Sequence, residues 1–247
     1  MEGPLPAAWL IGRLGAAAAG LGGAVAHALR GPVAHAREAA AAVLEPKTGI
    51  SFPGEFGFQS GDDTRCSLTL AGVGVRNKRL VGIKNINVYA VGMYADPDAV
   101  RGKLGEACAG RPREDVATDQ AVLDSLVRGE LESGLRLVIA FGGLTRQRFI
   151  SGLRERLDPL LKKEGKPEVC DAFAAQFDDI QLRRGCEIAF HMSAAGQVTT
   201  AVDGARVGTI VSPELQRSIL DIYVGADPVA PSAKADIGKG IAGFVSA

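Results

Sequence analysis

Two polar side chains, those of Arg76 and Tyr89, stand thirteen residues apart in a largely apolar stretch of the chain, residues 70–96. Pockets for small ligands combine an apolar lining for the body of the ligand with a few convergent polar groups for its head. An arginine and a phenol within apolar sequence meet this requirement. We therefore take this stretch as the first candidate for a functional site, with Tyr89 as the candidate for binding the polar head of a ligand.

The same stretch predicts two adjacent strands joined by a short connection, because β-branched residues flank a polar break at residues 77–79. Successive side chains of a strand point to opposite faces, so the second strand divides into two sets. The set expected to face a cavity is Asn87, Tyr89, Val91 and Met93. The set expected to pack in the core is Ile86, Val88, Ala90, Gly92 and Tyr94.

The remaining sequence predicts further strands and helices after an irregular, turn-rich entry at residues 45–53. Strands are expected at residues 135–141, 186–192, 198–202 and 207–211, and helices after Asp96, at 115–130, after Thr145, at 167–177, after Ser212 and at 231–245. Strands that follow one another without strict alternation with helices indicate an α+β fold. We expect a largely antiparallel sheet with a layer of helices on one face, and a ligand between the two layers.

The composition of the 247-residue chain argues against several functions. Its 28 basic and 28 acidic side chains are well mixed, so it lacks the basic surface that nucleic acid or an anionic membrane attracts. Its four cysteines are far apart, which argues against a disulfide framework and a thiolate metal site and fits a reducing compartment. We predict no metal and no cofactor, and interpret His191 as a structural residue in a strand.

Residues 1–45 form a leader that differs from the rest of the chain. It is rich in Ala and Gly and contains only three acidic residues, with arginines spaced along it. Its longest uncharged apolar run, residues 14–26, is shorter than the roughly twenty residues of a membrane span, so no stable membrane insertion is expected. This composition favours an organellar transit segment, and a helical arm on the domain is the alternative. His27 and His35 are interpreted as solvent-facing residues.

Three segments, in the same order, are similar to one known family. They are Gly-Val-Gly-Val-Arg76 with Asn-Val-Tyr89-Ala-Val-Gly-Met-Tyr, Glu-Pro-Lys-Thr-Gly-Ile-Ser-Phe-Pro at residues 45–53, and Leu-Gln-Arg-Ser-Ile-Leu-Asp-Ile-Tyr-Val-Gly-Ala-Asp-Pro at residues 215–228. They resemble the chalcone isomerase-like family over residues 45–245, and within it the plastid fatty-acid-binding branch of plants and algae. The resemblance implies that residues 46–247 form one open-faced sandwich domain.

The polar residues of true chalcone isomerases are mostly absent. The resemblance implies, for such an enzyme, an Arg on the first strand, a Thr on the second, a Tyr and an Asn one helix later, and a Thr or Ser on the penultimate helix, and Arg76 matches the first. The Thr position falls at or next to Tyr89, the Tyr at Phe149, the Asn near Arg156 and the last Thr near Ile222. Phenylalanine and isoleucine side chains donate no hydrogen bonds, and each lost donor costs a few kcal/mol of transition-state stabilisation. We therefore expect no catalytic residues and no isomerase activity.

The chain instead resembles the fatty-acid-binding branch, whose members have an Arg on the first strand and a Tyr on the second. Arg76 and Tyr89 match these two positions. A guanidinium fork pairs with both oxygens of a carboxylate, and a phenol adds a donor. The resemblance thus implies Arg76, Tyr89, Arg156 and Phe149 as ligand-binding residues and a long-chain fatty acid as the ligand. For Arg156 a solvated helix face remains the alternative. For Arg76 and Tyr89 the alternatives are a surface ion pair and a core aromatic residue.

Three functions follow from these observations. The first is non-catalytic binding of long-chain free fatty acids in the chloroplast stroma, in support of plastid fatty-acid metabolism. The second is a chalcone–flavanone isomerase, an intramolecular lyase. The third is a helper of the flavonoid pathway that binds intermediates or an enzyme without catalysis. The Gly72-x-Gly74 pair is not a nucleotide loop, because a strand pair and not a helix follows it.

Overall fold

The structure, a computed structural model, describes residues 41–60, 65–79, 85–128 and 131–246, and nine strands lie within them. The strands are β1 (Val43–Glu45), β2 (Ile50–Phe52), β3 (Glu55–Gln59), β4 (Arg65–Lys78), β5 (Ile86–Ala95), β6 (Ser133–Ile139), β7 (Glu187–Met192), β8 (Gln197–Val202) and β9 (Ala205–Val211). Strands β3 to β9 form one antiparallel sheet in chain order, and β1 pairs with β2 in a separate ribbon. The predicted antiparallel sheet is confirmed.

Seven helices accompany the sheet within the same residues. They are α1 (Pro97–Cys108), α2 (Arg113–Thr118), α3 (Gln120–Val127), α4 (Arg146–Lys163), α5 (Pro167–Ala175), α6 (Pro213–Val224) and α7 (Pro231–Ser246). Asp96, Thr145 and Ser212 cap the first turns of α1, α4 and α6 through their side chains, which confirms three predicted helix starts. None of the helices in the described residues is long and apolar enough to cross a bilayer.

The two faces of the sheet differ as expected for an α+β sandwich. Tyr89, Val91 and Met93 of β5 point into one large apolar core that they share with the helices. Ala90 and Tyr94, which alternate with them, belong to two smaller clusters on the other face. The layer of helices on one face is therefore confirmed. Side chains of β5 point alternately to the two faces, which determines the β5 residues that the helices cover.

The predicted cavity face of β5 is only partly correct. Val91 and Met93 are fully buried in the core and are not among the residues that line the cavity at Arg76. Asn87 lies on the other side, where its amide nitrogen donates to the Lys47 carbonyl oxygen over 3.0 Å. The cause is a β-bulge: Arg76 pairs with Tyr89, but Asn77 pairs with Asn87, so one extra residue of β5 reverses the alternation. The connection at residues 80–84 lies outside the described residues.

Helix α7 packs directly on β4. A Cβ atom at Gly74 would lie 2.3 Å from the backbone nitrogen of Ala233, and one at Gly72 would lie 2.4 Å from that of Ile237. Glycine is therefore required for this close approach. The Asp236 carboxylate also accepts a hydrogen bond of 2.9 Å from the backbone of Val73. The Gly-x-Gly pair thus fixes a helix on the strand that carries Arg76.

Two local predictions were wrong. The single helix expected at residues 115–130 is two helices, because Asp119 ends α2 and caps α3 with its side chain. The irregular entry is a hairpin, in which Val43–Glu45 pairs with Ile50–Phe52, so one strand lies at the end of the predicted leader. Residues 1–40, with His27 and His35, lie outside the described residues, and the transit segment stays a prediction.

Candidate functional site

Arg76 and Tyr89 are directly opposite each other on β4 and β5. Cross-strand neighbours project from the same face of a sheet, so both side chains reach the helix side. An Nη1 hydrogen of Arg76 is donated to the Tyr89 hydroxyl oxygen over 3.4 Å, and Cζ of Arg76 lies 5.7 Å from the centre of the Tyr89 ring. Arg76 is half-buried and Tyr89 is buried. The predicted pairing of a cation and a phenol is present.

A second phenol, that of Tyr223 on α6, joins this pair. The hydroxyl oxygens of Tyr89 and Tyr223 lie 2.9 Å apart, and Tyr223 is only 2% exposed. The sequence analysis did not predict this role for Tyr223. Residues 215–228, which contain Tyr223, resemble the chalcone isomerase-like family. That resemblance does not indicate that Tyr223 contacts Tyr89, a residue 134 positions away.

The two phenols share a hydrogen bond, and burial keeps Tyr223 protonated. Burial raises the pKa of Tyr223 well above its usual value, with Tyr89 adding to the shift, so Tyr223 is neutral near neutral pH. The two hydroxyl groups share one hydrogen bond in which either oxygen can be the donor. When Tyr223 donates, the Tyr89 oxygen accepts from both Arg76 and Tyr223, and the Tyr89 hydrogen is free to be donated into the adjacent cavity.

The guanidinium group of Arg76 has no carboxylate partner. No Asp or Glu oxygen within residues 41–60, 65–79, 85–128 and 131–246 lies within 4.0 Å of it. Burial lowers the pKa of Arg76, but Tyr89, Tyr223 and the more distant Glu155 outweigh that effect and raise it overall, so the group stays charged. Among the described residues this half-buried cation has one long hydrogen bond, and its incomplete pairing favours the binding of an anionic ligand.

A cavity of about 450 Å³ opens at this cation, between the sheet and α4. Its apolar wall consists of Ile86, Val88, Phe141, Leu144 and Phe149, and exposed side chains at its mouth are Lys78, Gln147, Arg148, Ser151 and Glu155. Gly152 of α4 lies beside the guanidinium group. The volume falls within the range of about 300–1,000 Å³ that is typical of small-ligand sites. Of the predicted site residues, the structure brings Arg76, Tyr89 and Phe149 together here.

Arg156 lies outside this cavity. Its Nη1 atom is 2.8 Å from the Asp227 carboxylate, and it also donates to the Asp227 carbonyl oxygen. It is therefore in the exposed ion pair of a solvated helix face, the alternative that the sequence left open. The predicted role of Arg156 in ligand binding has no support in this geometry.

The contacts predict unequal effects for the two phenols. We expect Tyr89→Phe to weaken ligand binding about 10- to 100-fold, because it removes a donor to a charged group worth about 1.5–3 kcal/mol. We expect Tyr223→Phe to weaken it less than tenfold, because this residue only positions Tyr89. Calorimetric titration of both variants with a fatty acid measures the order, and equal losses would show that Tyr223 binds the ligand itself.

The fold and the site together define a class of protein: an α+β sandwich with an apolar cavity at which a cation and hydrogen-bonding groups lie. No family model matches the chain. Fatty-acid-binding protein 1 of Arabidopsis thaliana is 35% identical over 202 residues, which cover 80% of this chain and 70% of that protein. The crystal structure of an Arabidopsis thaliana fatty-acid binding protein superposes with a TM-score of 0.73 at 32% identity, covering 83% of this chain and 100% of that one.

Two further relatives show the breadth of the relationship. Fatty-acid-binding protein 2 of Arabidopsis thaliana is 30% identical over 82% of this chain, which spans about half, 51%, of that protein. A chalcone–flavanone isomerase of Hordeum vulgare is 28% identical over 70% of this chain and 79% of the enzyme. The chain belongs to the chalcone isomerase-like family, and within it is more similar to the fatty-acid-binding proteins than to the isomerases.

Proposed function

We propose that this protein binds long-chain free fatty acids without catalysis. The observation that carries the proposal is the half-buried Arg76 cation, which has no carboxylate partner in the described residues and faces an apolar cavity beside the Tyr89 hydroxyl group. A fatty-acid carboxylate would accept from both residues. The names of the more similar relatives, which are fatty-acid-binding proteins, support the same ligand class.

The apolar wall supplies the affinity for the acyl chain. Each buried methylene group contributes roughly 0.8 kcal/mol, so about ten of them gain near 8 kcal/mol before the costs of association. Pairing of the carboxylate with Arg76 and Tyr89 adds selectivity for an ionised head group over an ester or an alcohol of the same length, because those groups leave the Arg76 charge unpaired.

The ligand can be identified directly. Native mass spectrometry of gently purified protein should show adducts with the masses of long-chain fatty acids, and calorimetric titration of delipidated protein should show saturable binding of palmitate. A fatty-acid methyl ester of the same chain length is the control and should bind more weakly. Absence of both the adducts and the saturable binding would overturn the proposal.

Isomerase activity is the alternative that the more distant relatives raise. The cavity places Phe149, which donates no hydrogen bond, in its wall, and Ile222 is buried in the core. We therefore expect the protein to convert a hydroxychalcone to its flavanone no faster than the spontaneous ring closure. A spectrophotometric assay of chalcone disappearance, with a true isomerase as positive control, measures this, and acceleration abolished in Arg76→Ala would establish the enzyme.

We further propose that the protein acts in the chloroplast stroma and supports plastid fatty-acid metabolism. The acid-poor leader with spaced arginines supports this location. Fusion of residues 1–45 to a fluorescent protein tests it: import into chloroplasts with cleavage of the leader is expected, and a cytosolic, uncleaved fusion would contradict it.

A further inference from the structure

Three side chains with metal-binding atoms meet on the sheet face opposite to the cavity at Arg76. They are Cys66 near the start of β4, Glu132 just before β6, and His191 of β7, and their ligand atoms all lie within 4.8 Å of one another. Cys66 packs against the cluster that contains Phe58 and Tyr94, whereas Tyr89 belongs to the core on the helix side. The three residues are therefore separate from the fatty-acid site.

The histidine is buried and has one polar contact among the described residues. His191 is 1% exposed, its Nδ1 atom has no partner there, and its Nε2 atom lies 2.9 Å from Oε1 of Glu132. Its ring also lies 6.3 Å from that of Phe58. The imidazole is thus fixed by packing in a strand, with its polar edge directed at the cluster, while the side chain of Glu132 is 39% exposed and gives access from solvent.

The set of donor atoms decides which ion could bind. A thiolate, an imidazole nitrogen and a carboxylate oxygen are the protein ligands that Zn²⁺ takes, commonly three from the protein with water in the fourth position. Mg²⁺ and Ca²⁺ require oxygen ligands, so this set does not suit them. Three ligands on separate parts of the sheet also present the rigid geometry that a metal site needs.

We propose that Cys66 Sγ, His191 Nε2 and a carboxylate oxygen of Glu132 form a Zn²⁺ site that joins β4, β7 and the segment before β6. The sequence argued against such a site because the four cysteines are scattered, but a site with a single cysteine needs no close cysteine pair. The entering ion displaces the thiol proton to solvent and forms the metal–sulfur bond.

Cobalt provides the test, because a Co²⁺–thiolate bond has a charge-transfer absorption that oxygen and nitrogen ligands lack. Full-length protein, stripped of metal by a chelator, is titrated with CoCl₂ and then with ZnCl₂. We expect one Co²⁺ per chain with the thiolate band, displacement by Zn²⁺, and a higher melting temperature with Zn²⁺ than without it.

Matched variants assign the ligands. Cys66→Ser should lose the thiolate band and at least about tenfold in Zn²⁺ affinity, and Glu132→Gln should weaken binding with the band retained. Cys108→Ala, which removes a buried thiol of α1, should behave as the unaltered protein, and circular dichroism verifies that each variant is folded. A titration without a saturable band, or a band that persists in Cys66→Ser, would overturn the site, and neither result bears on fatty-acid binding.

Discussion

Replacement of Arg76 by alanine is expected to weaken palmitate binding about 30- to 700-fold. Truncation of one partner of a desolvated, hydrogen-bonded charge pair costs about 2–4 kcal/mol, and each 1.4 kcal/mol is a factor of ten in Kd. The fold should survive, because Arg76 is half-buried and its hydrogen bond to Tyr89 is long, 3.4 Å, so its loss removes little packing.

Two comparisons make this expectation specific. Arg156→Ala removes an arginine of α4 that lies outside the cavity, where it pairs with Asp227, and should leave palmitate affinity unchanged. Hexadecanol, which has the same chain and no charge, should bind Arg76→Ala and the unaltered protein about equally. If Arg76→Ala binds palmitate normally, or if Arg156→Ala no longer binds palmitate, Arg76 is not the cation that binds the carboxylate.

The antiparallel pair β4–β5, with Arg76 and Tyr89 on it, could be predicted from sequence because local rules determine it. A polar break between two β-branched runs predicts an antiparallel pair, and the thirteen-residue separation places Arg76 opposite Tyr89 across it. The turn at Asp203 and Gly204 is similarly local: both residues have positive φ, 48° and 80°, as a tight hairpin requires. Each of these features depends on residues near one another in the chain.

The missed features depend on contacts between distant residues. The bulge opposite Arg76 is a choice of register that the surrounding structure makes, and it moved Asn87 out of the expected cavity face and Val88 into the cavity wall. The contact of Tyr223 with Tyr89 depends on where α6 packs on the sheet. Arg156 is one of several arginines on α4, and only its contact with Asp227 distinguishes it from a cavity residue.

The site is pre-organised by elements on both layers of the fold. Helix α7 packs against the glycines of β4, which fixes the strand before Arg76, and α6 positions Tyr223 against Tyr89. The donors are therefore aligned before a ligand enters, so little ordering cost remains for the head group. The acyl chain then contacts side chains of β5, of the segment after β6 and of α4.

Gly152 offers a way to block the site without weakening the fold. A Cβ atom at this position would lie 3.5 Å from Nη2 of Arg76, an ordinary contact, so a side chain can be accommodated there. Because Gly152 lines the cavity, the outer atoms of a leucine would occupy the space beside the guanidinium group that a carboxylate needs. Leucine also favours the helix over glycine by about 0.8 kcal/mol.

Gly152→Leu should therefore change binding and stability in opposite directions. We expect palmitate affinity to fall about 100-fold or more, since the ligand must overcome an overpacking cost of about 1–3 kcal/mol and loses its bonds to Arg76. Denaturant unfolding should show equal or greater stability. Gly102→Leu is the control, because this exposed glycine of α1 has no atom within 4 Å of its Cβ position and should gain stability while binding normally. Normal palmitate affinity in a folded Gly152→Leu protein would place the carboxylate elsewhere, since the two cannot share this space.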